Sequence, residues 1–337
     1  MKLLKNLNFV KNLAISYFQQ TALFVRIIPS DNCNLNCRYC YQKRINAPVM
    51  QWDFFCKALE KAVELRVGLV NFLGGEPMLW EHLYDAIALC SKRRILTDMT
   101  TNGTLLDDAA IKKLGASGLD YLNISVDTRD RFSVSKKNSL FNPGVVEALR
   151  LARQNHGMKF RMNSVICKNN FEDVKLLLEL SKGQNIPLSL CFVVPDMNGV
   201  ENSELHFTEN DAGLLREMVD YVLRKKKEGC PVIDPDSYFT NVFKFVRRER
   251  FWLCNYPTRF GWINVTANGT VRNCTKKMED TGVDFLSLTP CKIQGLKKML
   301  EASVEKCNPF CYSNCAYDSA FYKKHKAAFV VNKIKNF

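Results

Sequence analysis

Three cysteines are spaced for metal chemistry. Cys33, Cys37 and Cys40 stand in the run Cys-Asn-Leu-Asn-Cys-Arg-Tyr-Cys. Thiolates are the usual ligands of iron–sulfur clusters. In a [4Fe–4S] cluster, three cysteines leave one iron without a protein ligand, open to a small molecule that brings an amine and a carboxylate. Zinc competes for the same residues, but a structural zinc site wants a fourth ligand, and neither a nearby Cys nor a His supplies one; the first histidine is His82. Further on, Gly74-Gly75-Glu76-Pro77 sets two glycines, which let backbone approach a ligand closely, beside a carboxylate suited to an ammonium. A second group, Cys254, Cys274, Cys307, Cys311 and Cys315, lies towards the C-terminus. Four thiolates there suit either an iron–sulfur cluster or zinc. Cys56, Cys90, Cys167, Cys191 and Cys230 are scattered and read as small core residues.

The elements around these residues alternate. Strand-like runs, short, apolar and rich in branched side chains, fall at 23–29, 68–73, 95–101, 119–126, 158–166 and 187–194. Helical stretches lie between them near 52–66, 80–92, 107–115, 143–155 and 170–182. Asp107 is placed to N-cap one helix and Gly115 to end it, and Asn142-Pro143 reads as N-cap and first helical residue. Such alternation predicts an α/β fold with a parallel sheet, and the cysteine triplet follows the first strand directly. Ligands of such sheets bind at the carboxyl ends of the strands. Six βα units are too few for a closed eight-stranded barrel. Thr208 with Asp211 forms a capping box that opens a helix to about residue 227, and a looser helical segment follows to about 250. Thr258–Thr266 and Thr270–Thr275 flank Asn268–Gly269, which predicts a hairpin with a type I′ turn.

With the triplet, Tyr39 before its last cysteine, and Gly74-Gly75-Glu76-Pro77 at the tip of the second strand, the chain resembles the radical S-adenosylmethionine (SAM) superfamily. Thr100-Thr101-Asn102-Gly103, Asn123-Ile124-Ser125-Val126-Asp127 and Asn163 with Asn169, Asn170 and Glu172 continue the likeness at the third, fourth and fifth strands. The resemblance covers 23–194 and implies a partial (β/α)6 TIM-like barrel. It implies a SAM-binding [4Fe–4S] cluster on Cys33, Cys37 and Cys40, with Tyr39, Gly74, Gly75, Glu76, Asn102, Ser125, Asp127 and Asn163 around SAM. The hairpin and the late cysteines resemble the SPASM/twitch extension. That likeness implies an auxiliary [4Fe–4S] cluster on Cys254, Cys274, Cys311 and Cys315, with Cys307 as alternate, in a small cysteine-rich α+β extension. The implied organisation is an N-terminal basic amphipathic helix (1–22), a radical SAM partial barrel (23–207), a helical linker (208–250), the auxiliary-cluster region (251–318) and a basic tail (319–337).

The implied activity is reductive cleavage of SAM to a 5′-deoxyadenosyl radical that abstracts a hydrogen atom, fed by an external donor of flavodoxin or ferredoxin type. A formal charge of +14 favours an anionic, phosphate-bearing small substrate. Arg129, Arg131 and Arg161, near strand ends, are placed to meet one. A peptide substrate, with crosslinking or oxidation of a peptidyl residue, is the alternative; few residues precede the first strand, which lowers the expectation of an N-terminal peptide-binding domain. A non-catalytic iron–sulfur or zinc protein and a nucleic-acid contact stay open. The 337 residues, 47% apolar, contain no run long enough to span a membrane and no signal peptide, so the cytoplasm is expected. In the first helix Leu3, Leu4, Leu7, Val10, Ala14, Tyr17 and Phe18 fall broadly on one face, apart from Lys2, Lys5 and Lys11. Such a helix packs on the core or caps a barrel end, or it lies on a membrane surface.

Overall fold

The computed structural model describes residues 2–19, 24–40, 46–129, 135–194, 203–252, 254, 262–274, 279–305, 311–314 and 316–317. Helix α1 (Lys2–Gln19) precedes six βα repeats. These are β1 (Phe24–Ile27), α2 (Trp52–Glu64), β2 (Leu69–Phe72), α3 (Leu83–Lys92), β3 (Leu96–Thr101), α4 (Asp108–Ser117), β4 (Tyr121–Ser125), α5 (Pro143–His156), β5 (Lys159–Ile166), α6 (Phe171–Gln184) and β6 (Leu188–Phe192). All six strands run parallel in the order 6-5-4-3-2-1, as expected from the alternation. One face carries Val25, Ile27, Val70, Phe72, Met99, Leu122 and Ile124 and is buried under the helices. The opposite face, at alternate positions of the same strands, carries Arg26, Asn71 and Asp98 in register and, one pleat further along, Asn123 and Arg161 in register with each other.

Local chemistry sets the helix ends. Asp107 accepts the Ala110 amide at 2.7 Å and Asn142 accepts the Gly144 amide at 2.9 Å. Gly115 does not end α4. It is buried inside the helix, where an added Cβ would lie 2.7 Å from the His156 ring, and Gly118, left-handed at φ 89°, ends the helix instead. The capping box at Thr208–Asp211 is present and leads into α7 (Ala212–Lys227). Beyond it lie α8 (Asp236–Thr240) and α9 (Val242–Val246). Val232 bridges to Leu188, so this stretch packs against the β6 edge.

The hairpin exists, but it joins the main sheet. β7 (Trp262–Val265) pairs parallel with β1, and β8 (Thr270–Arg272) and β9 (Asp280–Asp284) follow antiparallel, giving nine strands in one sheet among the described residues. The β1 edge is thereby covered. The expected type I′ turn is corrected. Asn268 keeps a negative φ, the Gly269 amide donates to the Thr266 carbonyl at 3.0 Å, and Gly269 alone of the pair is left-handed, at φ 82°. Helix α10 (Pro290–Glu305) follows. Residues 311–314 dock beside β6, where Tyr312 stacks on Tyr238 at 4.7 Å and Asn314 donates to Ser189 at 2.9 Å.

Helix α1 caps the amino end of the sheet with its polar side. The turns that enter β2, β3, β4 and β5 present the carbonyls of Val67, Arg94, Gly118 and Gly157, and Asn12, Asn8, Lys5 and Lys2 donate to them respectively. Lys5 also pairs with buried Asp120 at 2.6 Å. The apolar side, with Leu3 and Val10 61% or more exposed, faces out. Of the placements the pattern allows, α1 takes the cap on the sheet end, with its polar rather than its apolar side inward, because those four carbonyls need donors. No helix among the described residues is long and apolar enough to cross a membrane.

Candidate active site at the carboxyl ends of the strands

The cysteine loop leaves β1 and is fastened on three sides. Beneath it, the Gly75 and Glu76 amides donate to the Ser30 and Asn32 carbonyls at 3.1 and 2.8 Å. An added Cβ on Gly74 would meet the Ser30 oxygen at 2.4 Å, and one on Gly75 the Asn32 oxygen at 2.0 Å. The glycines expected to admit a ligand therefore first admit the cysteine loop itself. On a second side, Asp31 makes a paired ion bond with Arg272 of β8 at 3.2 and 3.0 Å, both side chains nearly enclosed. On the third, Tyr39 donates to the Asp127 carboxylate and accepts from the Lys137 ammonium at 2.8 Å.

The thiols sit in a field built by these neighbours. Cys37 is 4% exposed, and burial pushes its thiol up to about 11, against the pull of Lys137. Burial also raises the Cys33 thiol, while the Leu35 amide at 3.4 Å and the Asn102 side chain at 3.7 Å donate to its sulfur. Burial pulls the Lys137 ammonium down, but Asp127 and the three cysteines outweigh it and leave it above its ordinary value. Lys137 is thus a cation held at the thiols.

The other expected site residues divide by what they touch. Asp127 is 1% exposed and accepts from Tyr39, Ser135, Ser164 and Val165. A carboxylate has about four lone-pair sites, so Asp127 is placed to organise the loops. Glu76, 3% exposed, accepts from Thr101, Met78 and Asn102 at 2.8, 3.1 and 2.7 Å. That leaves about one lone pair for a ligand ammonium. Burial holds the Glu76 carboxyl above the usual range, with the three donors opposing. Asn102 links Glu76 to Cys33 and Asn34. Ser125 and Asn163 are cross-strand partners, half-buried at the upper rim of the face turned from the helices. One step lower, Asn123 donates to Asp98 at 2.5 Å and accepts from Arg161. Beside them Arg26 donates to Asn71 at 3.1 Å and Asn264 at 3.3 Å. Arg129 is exposed in the loop after β4, and Arg131 lies outside the described residues. Lys137 and Arg26 carry no sequence signal at this spacing, and pattern reading passed them over.

Among the described residues no three Cys, His, Asp or Glu side chains converge as they would on a single metal ion. A four-iron cube binds each thiolate at a separate iron, so it needs its ligands further apart than one ion does. One buried and two half-buried thiols, one of them receiving two N–H donors and all three interacting electrostatically with the Lys137 ammonium, fit such a cube. Cys254, Cys274 and Cys311 are half-buried, with Cys274 two residues past β8 and Cys311 next to docked Tyr312; Cys307 and Cys315 lie outside the described residues. Cys90, Cys167 and Cys230 are buried as expected, whereas Cys56 and Cys191 are half-buried.

A parallel six-stranded partial barrel with three thiols in its first strand-to-helix loop defines a SAM-dependent radical enzyme. The Radical SAM superfamily profile matches residues 27–198, and the chain belongs to that superfamily. It is 30% identical to a GTP 3′,8-cyclase of Clostridium botulinum (strain Hall) over 271 residues, 74% of this chain and 80% of that one. It is 26% identical to the PqqA peptide cyclase of Granulibacter bethesdensis over 268 residues, 76% of this chain and 68% of that one. Among solved structures, anSMEcpe with bound AdoMet and a Cp18Cys peptide superposes with a TM-score of 0.62 at 17% identity, covering 93% of this chain and 99% of that one. The fold is shared with partial-barrel radical SAM enzymes, and the cofactors are a [4Fe–4S] cluster and SAM.

Proposed function

We propose that Cys33, Cys37 and Cys40 hold the SAM-binding cluster and that SAM lies across the strand ends beside Glu76, Asn102, Ser125 and Asn163. The substrate is an anionic, phosphate-bearing small molecule seated against Arg161 and Arg26. The observation that carries the substrate class is the placement of these two guanidiniums on the sheet face turned from the helices, half-buried Arg161 donating to Asn123 and buried Arg26 to Asn71 and Asn264. A guanidinium has five N–H donors in a fork that matches phosphate oxygens. The similarity to a relative named for GTP supports the same class.

When bound, the cluster and SAM supply one-electron cleavage of a C–S bond and a 5′-deoxyadenosyl radical that takes a hydrogen atom from the substrate. The chain's own residues do the positioning. Asn102 and Leu35 donate to the Cys33 sulfur, and Lys137 sets a positive charge against the thiolates. Glu76 receives an ammonium, and Tyr39 and Asp127 hold the loop still. Cys254, Cys274, Cys311 and Cys315, with Cys307 as alternate, hold an auxiliary [4Fe–4S] cluster. The enzyme works in the cytoplasm with a flavodoxin- or ferredoxin-type donor.

Anaerobic reconstitution with iron, sulfide, dithionite and SAM tests this. Methionine and 5′-deoxyadenosine form, GTP accelerates them, and Arg161→Ala raises KM for the nucleotide about tenfold with kcat little changed. Absence of both products from a reduced enzyme refutes the proposed cluster site. The similarity to a peptide cyclase favours a second reading, modification of a peptidyl residue. Coupling to peptides alone, with no response to nucleotides, selects it.

A further inference from the structure

Helix α1 is inside out. Its polar side chains Lys2, Lys5, Asn8 and Asn12 are spent on the carbonyls beneath the sheet. Its outward stripe is aliphatic: Leu3, Leu7 and Val10 are 71%, 58% and 61% exposed, and Leu4 is 46% exposed. Their spacing of three and four residues makes one continuous ridge.

The rim around that ridge is basic. Arg94 offers its own carbonyl to Asn8, and Arg66 precedes Val67, whose carbonyl meets Asn12. Both arginines are left-handed, at φ 57° for Arg66 and 59° for Arg94, in positions after a helix where glycine is the usual residue. Arginine there costs backbone strain that glycine avoids. Arg153 and Lys159 flank Lys2 closely, and Lys159 is pulled below its ordinary value by partial burial, then by Lys2 and Arg153. Lys11 of the same helix is exposed. Among the described residues no carboxylate lies within ion-pair distance of Arg66, Arg94, Arg153 or Lys159, and the neighbouring Asp120 is engaged by Lys5.

An exposed aliphatic ridge inside a cationic rim matches one surface, a bilayer of anionic lipid, in which the ridge enters the acyl boundary and the rim meets the headgroups. We infer that the amino end of the sheet, led by α1, docks this enzyme on anionic membrane. The cysteine loop lies at the carboxyl ends of the strands, so the docked enzyme turns its site mouth away from the lipid. This inference is independent of the substrate assignment above.

Flotation of the full-length reconstituted enzyme tests it, using phosphatidylcholine vesicles with and without about 30 mol% phosphatidylglycerol. The enzyme floats with the anionic vesicles only, and high salt releases it. Leu3→Gln/Leu7→Gln/Val10→Gln, all surface changes, keeps the circular dichroism spectrum and 5′-deoxyadenosine formation while vesicle affinity falls at least about tenfold. Arg66→Gly and Arg94→Gly each weaken vesicle binding about fivefold yet raise Tm, because glycine relieves the left-handed strain. Equal flotation of the triple variant, or none by the wild type, overturns the inference. So does a dimer by light scattering that the triple variant dissociates, since a second copy then covers the ridge.

Discussion

Lys137 lies among Tyr39, Asp127 and the three proposed cluster thiols, and its positive charge offsets theirs. Charge and hydrogen bonds at the sulfurs set the reduction potential of an iron–sulfur cluster. Lys137→Met removes that charge, so the reconstituted cluster becomes harder to reduce, its midpoint moving negative in a spectroelectrochemical titration, while Lys137→Arg retains most of the wild-type value. Asn102→Leu moves the midpoint in the same direction by losing the donor to Cys33. At this scale the cysteines were legible because ligand spacing is local in the chain. Lys137 was not, since it reaches Tyr39 across 98 positions and nothing in a Lys-Lys-Asn loop marks it. Asp127 was legible as a site residue by family resemblance, but its contacts place it in the framework that orients Tyr39.

The loop after β2 and the cysteine loop form one packed unit. Gly75→Ala drives a Cβ into the Asn32 and Asp31 carbonyls, 2.0 and 2.5 Å away, and neither is a flexible side chain. The expected outcome is a loss of about 1–3 kcal/mol in unfolding free energy and a fall in bound iron, read by denaturant titration and metal analysis. The strands and most helices of the six repeats were readable because period-two and period-3.6 patterns and caps such as Asp107 and Asn142 are local. The end of α4 was misread because two glycines compete there, and only the approach of His156 shows that Gly115 belongs inside. The orientation of α1 is not legible in the sequence for a related reason. Periodicity reports that a helix has two faces, and the carbonyls waiting under the sheet decide which one is buried.

Across the whole molecule, the buried Asp31–Arg272 pair ties the C-terminal hairpin to the start of the cysteine loop. Breaking one partner of an enclosed ion pair costs about 3–5 kcal/mol, whereas replacing both by apolar groups is near neutral. Arg272→Met therefore lowers stability and iron content, and Asp31→Leu/Arg272→Met recovers much of the stability, a double-mutant cycle measured by denaturant unfolding. Metal analysis of the intact enzyme gives about eight irons per chain with two cubes and about four if the C-terminal cysteines hold none. The hairpin was legible as a hairpin. Its parallel pairing with β1 was not, because the partner of an edge strand is not written in either strand's own pattern.

That pairing also orders events in time. Asp31 and Arg272 are 241 positions apart, so during synthesis β1 and the cysteine loop emerge from the ribosome long before β7 and β8 exist to hold them. Contacts of such separation form slowly. The cysteine loop therefore reaches its final shape only once β7 and β8 have been made and paired with β1.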